Sequence, residues 1–344
     1  MSFYLPAEWH PQSAVQLTWP HSNTDWQPWL EQVEKVYVQL VKAISRYQLV
    51  VIGCHHAELK QHVEAILENN KVDLAKIRLF IAPCDDTWAR DHGPITLVNQ
   101  DKQTCILDFT FNAWGDKYGA SLDDKITQSL IQQEFVNLNH YQNLDFVLEG
   151  GSIESDGRGT LMTTEKCLLN PNRNASLNKQ EIEQALNETL GMKRLLWLEN
   201  GSLAGDDTDA HIDTLARFAP NGIVYVQCDD DQDPHFDQLH KMEQELKAAK
   251  DINGQPYTLY PLPWPKEIRN GEGERLPATY ANFLVINGAV LVPVYNDPSD
   301  AKALDVIASA YPGRDVIGID CRVIIEQFGS LHCLTMQLPE GLIQ

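Results

Sequence analysis

HIDTLARFAPNGIVYVQC, residues 211–228, is two apolar runs on either side of Pro220-Asn221-Gly222. Runs rich in β-branched and aromatic residues around such a turn read as a hairpin. What comes next decides the fold. Helical spacing over about 234–250 predicts an amphipathic helix, and YTLYPLP after it reads as a buried strand. The same order of hairpin, helix and strand recurs along the chain. ITLV and CILDF flank NQDKQ, SIES and TLMTT flank Asp156-Gly157, and NFLVI and AVLVPV flank Asn287-Gly288. Helical spacing returns at roughly 26–44, 57–69, 121–135, 178–190 and 299–311. The strands LVVIG, IRLFIAP, LDFVLEG, RLLWLENG and DVIGID come after these helices. Asn178 and Glu181 have capping-box spacing, and Gly191 closes that helix.

The cycles number about five, with a period of roughly 60–75 residues and no sequence identity between them. A unit of that size cannot close its own core, whereas several in a ring can share one. The expectation is therefore a single α/β domain over residues 1–344, built from pseudo-symmetric repeats. Residues 264–282, rich in Gly, Pro and charge, read as a long functional loop rather than a linker.

Charge narrows the partners. Against 48 Asp+Glu stand 27 Lys+Arg, a net −21. That balance disfavours nucleic acid and anionic membrane surfaces, and suits small cations. The start, MSFYLPAEWHPQ, has no basic segment followed by an apolar run, and FLVINGAVLVPVY is too short to span a bilayer. Seven cysteines without a CxxC pair read as reduced thiols, so a cytoplasmic location is expected. HExxH, paired cysteines, an EF-hand loop and a phosphate loop are all missing, so neither metal nor cofactor is expected. The run CDDDQDPH at 228–235 reads as a solvated turn, and His10, His55 and His56 as surface residues.

Polar clusters stand where apolar strands meet turns. In PCDDTWARDHGP, Trp88 and Asp91 are spaced to take a planar cation between an indole face and a carboxylate. A loop tied by an Arg90 ion pair is the plainer reading. In LEGGSIES, Glu149 precedes two glycines that allow close backbone approach, and His211 is a candidate partner for it. In AGDDTDAHIDTLARF, His211 and Asp213 share a face if the segment is a strand. A solvated acidic loop or a metal site would also use those residues. In FGSLHCLTMQL, Cys333 follows a Gly-containing turn, and on a strand His332 would face away from it.

With FNAWG, LLNPNRN and LPATYANF, these clusters make seven motifs in one order over essentially the whole chain. The chain resembles the agmatine deiminases, in the peptidyl-arginine-deiminase-like branch of the guanidino-group-modifying superfamily. The resemblance implies a five-bladed α/β propeller, or pentein, of ββαβ units. It also implies Cys333 as nucleophile and His211 as general acid/base, with Asp91 and Asp213 gripping the guanidinium. Glu149 would orient His211, and Trp88 would line the slot. Trp114 and one of Asp206, Asp207 and Asp209, with Asp207 preferred, would face the far end of the substrate. The family usually has Gly where this chain has Ala210. A homodimer or higher homo-oligomer is implied as well.

The expected reaction is attack of Cys333 on the guanidinium carbon, loss of ammonia and hydrolysis of an amidino-cysteine. Acidic clusters at 85–86 and 206–209 would welcome a terminal ammonium and repel a carboxylate, which points to agmatine as the substrate and N-carbamoylputrescine as the product. Arginine or peptidyl-arginine deimination is the nearest rival. An amidinotransferase, a cysteine peptidase and an acidic scaffold that binds polyamines stand further off.

Overall fold

The hairpin of residues 211–228 forms, but later in the sequence than its apolar pattern suggests. Its strands are Ala216–Ala219 and Gly222–Val226, antiparallel, with Ala219 opposite Gly222. The third strand, Thr258–Leu262, pairs parallel with the second after the helix Phe236–Ala248. Gly222 is needed for that approach, because a Cβ there would lie 2.0 Å from the Thr258 carbonyl oxygen.

The computed structural model describes residues 2–344 and is a mixed α/β fold. Among the described residues there are five sheets, and the same pairing runs through all of them. Three-stranded sheets are built on Thr104–Thr110, Thr160–Thr164, Gly222–Val226 and Ala289–Val294 as central strands. Each central strand has an antiparallel neighbour before it and a parallel neighbour after it. The fifth sheet has the order Thr335–Pro339, Gln12–Thr18, Leu49–Cys54, Ile77–Ile81. Its first pair is antiparallel and joins the two ends of the chain, and the other two pairs are parallel.

The chain divides into two compact units. One holds His10–Gly150 and His332–Gln344, the other Tyr4–Trp9 and Gly151–Leu331. In the first, Val51, Phe80, Ile106, Leu130, Met336 and Leu338 belong to one buried cluster drawn from both of its sheets and from the helix Ile126–Ile131. In the second, Arg217 is wholly buried and is bonded through Nε to Glu154 at 2.8 Å, through Nη1 to the Phe283 carbonyl at 2.8 Å, and to the Glu8 carboxylate. That network secures the Tyr4–Trp9 segment to its own unit, and the two carboxylates compensate the buried guanidinium.

The capping box at Asn178 forms as its spacing predicts. Asn178 accepts from the Gln180 and Glu181 backbones, and Glu181 accepts from the Asn178 N–H at 2.8 Å. The helix expected over 121–135 is reduced to a 3-10 turn, Asp123–Lys125, and one short helix, Ile126–Ile131. Its opening residues bond elsewhere: Leu122 N–H goes to Asp85, while Asp123 and Asp124 accept from Asp85, Asp86 and Phe111. Side chains that capture remote backbone groups compete with helix formation. No described helix is long and apolar enough to cross a membrane.

Candidate active site

The TWARDHGP motif is organised by carboxylates that precede it. Trp88 caps a one-turn helix, Ala89–His92. Its indole N–H donates to Asp86 Oδ2 at 3.0 Å. The Trp26 indole donates to Asp86 Oδ1 at 3.1 Å and to Thr87 Oγ1 at 2.9 Å. Asp86 thus fixes the indole expected to line the slot, and burial pushes its carboxyl up to about 6. Behind it, Asp123 accepts from Asp85 N–H at 2.7 Å and Asp86 N–H at 3.1 Å, and Asp85 accepts from Leu122 N–H at 2.8 Å. Burial raises Asp123 to about 8. The sequence marks Asp86 only as part of an acidic cluster for the substrate and does not mark Asp123, because a structural carboxylate looks like any other Asp.

Asp91 is buried, and its Oδ2 accepts from Trp114 Nε1 at 3.0 Å. Trp114 reaches it through a left-handed turn, with φ of 49° at Ala113, 57° at Trp114, 90° at Gly115 and 61° at Asp116. Such a conformation costs about 1–2 kcal/mol at each non-glycine residue and persists only where its surroundings hold it. Asn112 Oδ1 does so by accepting from Gly115 N–H at 3.0 Å, and Phe111 packs edge-on against Trp114 with centroids 5.3 Å apart.

Cys333 is buried, and its carbonyl accepts from Arg90 N–H at 3.1 Å. The thiol-bearing residue and the helix carrying Asp91 are therefore joined backbone to backbone. The Arg90 guanidinium extends to Gln337 and to Met336 Sδ, at 3.6 Å for the sulfur, and so grips the last strand. Glu149 is fully buried after the strand His140–Val147. Gly150 follows it because a Cβ there would lie 2.2 Å from the Arg90 carbonyl oxygen. One expectation fails here. Cys333 and His332 are not on a strand; they lie in a turn, and the strand begins at Thr335. The Thr335 N–H and Oγ1 both bond the His332 carbonyl, at 3.0 and 2.9 Å, which bends the chain ahead of the strand.

His211 and Asp213 are wholly buried in the second unit. They too were expected on a strand. Instead Ile212–Thr214 is a 3-10 turn with His211 at its start, so two-residue alternation does not orient them. Thr214 folds back, its Oγ1 donating to the His211 carbonyl at 2.8 Å. The loop before His211 is braced residue by residue. Asp206 accepts from Thr208 N–H at 3.1 Å and Ala210 N–H at 2.6 Å. Arg173, buried, donates to Asp209 at 2.8 Å and to the Thr208 carbonyl at 3.0 Å. Thr164 Oγ1 donates to the Ala210 carbonyl at 2.8 Å. Asp209 and Ala210 both have positive φ, 68° and 66°. A position in that region favours glycine, so Ala210 holds a backbone conformation that side-chain-bearing residues rarely adopt.

One unit thus carries Trp88, Asp91, Trp114, Glu149 and Cys333, and the other carries Asp207, His211 and Asp213. Of the acidic clusters invoked for the substrate's far end, Asp85, Asp86, Asp206 and Asp209 are engaged in bracing the loops. Asp207, the residue preferred for that role, is half-buried in the same loop as Asp206 and Asp209.

The family model for Porphyromonas-type peptidyl-arginine deiminase matches residues 4–339. The agmatine deiminase of Stutzerimonas stutzeri is 32% identical over 99% of this chain and 97% of its own. A cysteine-to-serine variant of the C. jejuni agmatine deiminase, solved with substrate bound, is 40% identical with a TM-score of 0.90, covering 99% of this chain and 97% of that one. A Porphyromonas gingivalis structure provisionally described as an arginine deiminase is 48% identical with a TM-score of 0.91, covering 99% of each chain. Matching runs from the first motif past the last, with Cys333 inside it, and the chain belongs to the Porphyromonas-type peptidyl-arginine deiminase family.

Proposed function

We propose that this chain is an agmatine deiminase, hydrolysing agmatine to N-carbamoylputrescine and ammonia through a covalent amidino-cysteine. The observation that carries the reading is the 3.1 Å bond from Arg90 N–H to the Cys333 carbonyl. It joins a buried thiol to the helix whose Asp91, held by the Trp114 indole, would accept a guanidinium. A guanidinium carbon is a poor electrophile, so holding it near sulfur is most of the task. Asp91 and Asp213 grip its nitrogens, with Trp88 along its face, and Trp114 and Asp207 serve the far end. A cation bound there draws the Cys333 thiol toward thiolate. Sulfur bonds to the carbon, His211, oriented by Glu149, protonates the departing ammonia, and the C–N bond breaks. Water deprotonated by the same imidazole then displaces the sulfur and releases the ureido product.

The five-fold repetition of antiparallel then parallel pairing supports a five-bladed pseudo-symmetric α/β propeller, a single catalytic domain over 1–344. A cytoplasmic homodimer or higher homo-oligomer, free of nucleic acid and membrane, belongs to the same reading. Arginine deimination is the second reading, favoured by the 48% identity to the Porphyromonas gingivalis protein.

The test is ammonia release from agmatine, arginine and a blocked arginyl peptide, with Cys333→Ala as control. Agmatine alone is expected to turn over, and only with Cys333 present. Faster turnover of arginine or the peptide would move the assignment to the second reading. Turnover by Cys333→Ala would discard the covalent route.

A further inference from the structure

Three parallel-paired strands of the first unit end in the same place with chemistry the deiminase reading does not use. Gln12–Thr18, Leu49–Cys54 and Ile77–Ile81 are neighbours in one sheet and run in the same direction. Just past their carboxyl ends stand His21, His55 and Cys84. The carboxyl edge of parallel strands is where open α/β sheets place their ligands. One ring nitrogen from each histidine and the Cys84 sulfur lie within 4.8 Å of one another. The two imidazoles are stacked, with centroids 4.2 Å apart and planes 29° off parallel. His55 Nδ1 is 3.9 Å from Cys84 Sγ.

From this geometry we infer that His21, His55 and Cys84 form a binding site for a thiophilic divalent cation of the Zn2+ class. Two imidazole nitrogens and one sulfur are a donor set for Zn2+, Co2+ or copper and not for Mg2+ or Ca2+. Tetrahedral coordination needs donors about 3.3–3.6 Å apart, so closure from 4.8 Å asks only side-chain adjustment. Metal binding would replace hydrogen bonds that both rings now make. His21 is 4% exposed, yet its two ring contacts, to Asn23 N–H and the Cys84 carbonyl, are both stretched to 3.3 Å. Cys84 N–H points at His55 Nδ1 from 3.0 Å, and that nitrogen also stands 3.0 Å from the Cys84 carbonyl oxygen. His55 is half-exposed and opens a route for the ion and for water as a fourth ligand. His56 is not part of the set, because its Nδ1 caps the next helix by accepting Leu59 N–H at 3.1 Å. Binding expels the Cys84 thiol proton to solvent, one per ion bound. The ion ties three strand ends together and so stabilises the folded chain.

The experiment titrates the metal-free full chain with Zn2+ against a chromophoric chelator, and with Co2+ for its thiolate charge-transfer band. Because Cys333 is another thiol, Cys333→Ser is the background in which the site is read. Expected are one Zn2+ per chain, a Co2+ band and a rise in Tm with Zn2+, in wild type and Cys333→Ser alike. Cys84→Ser should lose the band, and His55→Gln should weaken Zn2+ at least tenfold. His55→Gln, at a half-exposed position, keeps the test valid if Cys84→Ser fails to fold. Zn2+ affinity that persists in both variants, no binding at all, or binding lost with Cys333 would overturn the site.

Discussion

At the scale of single residues, Asp86 is a positioning residue for the Trp88 indole. Its two oxygens take one indole N–H each, from Trp26 and Trp88. In Asp86→Asn one oxygen becomes an NH2 facing an indole N–H, and a buried donor left unmet costs roughly 1–3 kcal/mol. If Asp86 acts through Trp88, the loss falls on substrate binding. KM for agmatine should rise about tenfold while kcat stays within about threefold. A variant that lost kcat at unchanged KM would show that Asp86 does not work through the indole. A slot for a planar cation was read from the three-residue spacing of Trp88 and Asp91, with a loop as the plainer reading; that the two share one short turn was legible in that spacing. The partner of Asp91 was not. That Trp114 reaches it depends on a left-handed turn at 113–116, where only Gly115 is a residue that commonly takes such a conformation.

At the scale of elements, hairpin turns and helix periodicity were legible because both are local. Residues 284–294 and 104–110 pair as their alternating runs predict. The first strand, Gln12–Thr18, was not found, and the last, Thr335–Pro339, was read as starting too early, since their pairing joins segments more than three hundred residues apart. Helix 121–135 was overcalled for a related reason: Asp123 and Asp124 serve another segment. That clamp makes stability depend on pH. Asp123 is raised to about 8 in the fold from an ordinary value of 3.8, so between those values the folded chain holds a proton that the unfolded chain has lost. Its contribution is therefore complete below about pH 4 and declines as pH rises toward 8. Buried His92, pushed down to about 3, acts in the opposite direction below its ordinary value of 6.5, so the comparison must be with a variant. Asp123→Asn cannot titrate. Its stability deficit relative to wild type, measured by urea unfolding, should be largest near pH 5 and shrink toward pH 8. A deficit independent of pH would mean that Asp123 stays ionised in the fold.

At the scale of the whole molecule, a net −21 can act on the substrate without any contact. Agmatine carries a guanidinium and an ammonium, so it meets this field as a dication. Many carboxylates of the loops are committed to hydrogen bonds, yet accepting an N–H does not by itself remove a carboxylate's charge. Asp206 and Asp85 thus add to the potential even while they brace backbone. Asp209 adds less, because Arg173 neutralises it, and Asp123 adds nothing while it is protonated. The screening length is about 30 Å at 0.01 M salt and about 10 Å at 0.1 M, so the distant part of the field is removed by ordinary buffer. Between those conditions KM for agmatine should rise roughly three- to tenfold, with kcat nearly flat, since a distant field acts on encounter rather than chemistry. Arginine, whose carboxylate cancels one charge, should show a shallower slope. Asp207→Asn should raise KM at every salt concentration while leaving the slope in place, because one local contact is not the field. A KM for agmatine indifferent to salt would reduce the acidic balance to a device for solubility, and selection of the substrate would then rest on contacts within the proposed site.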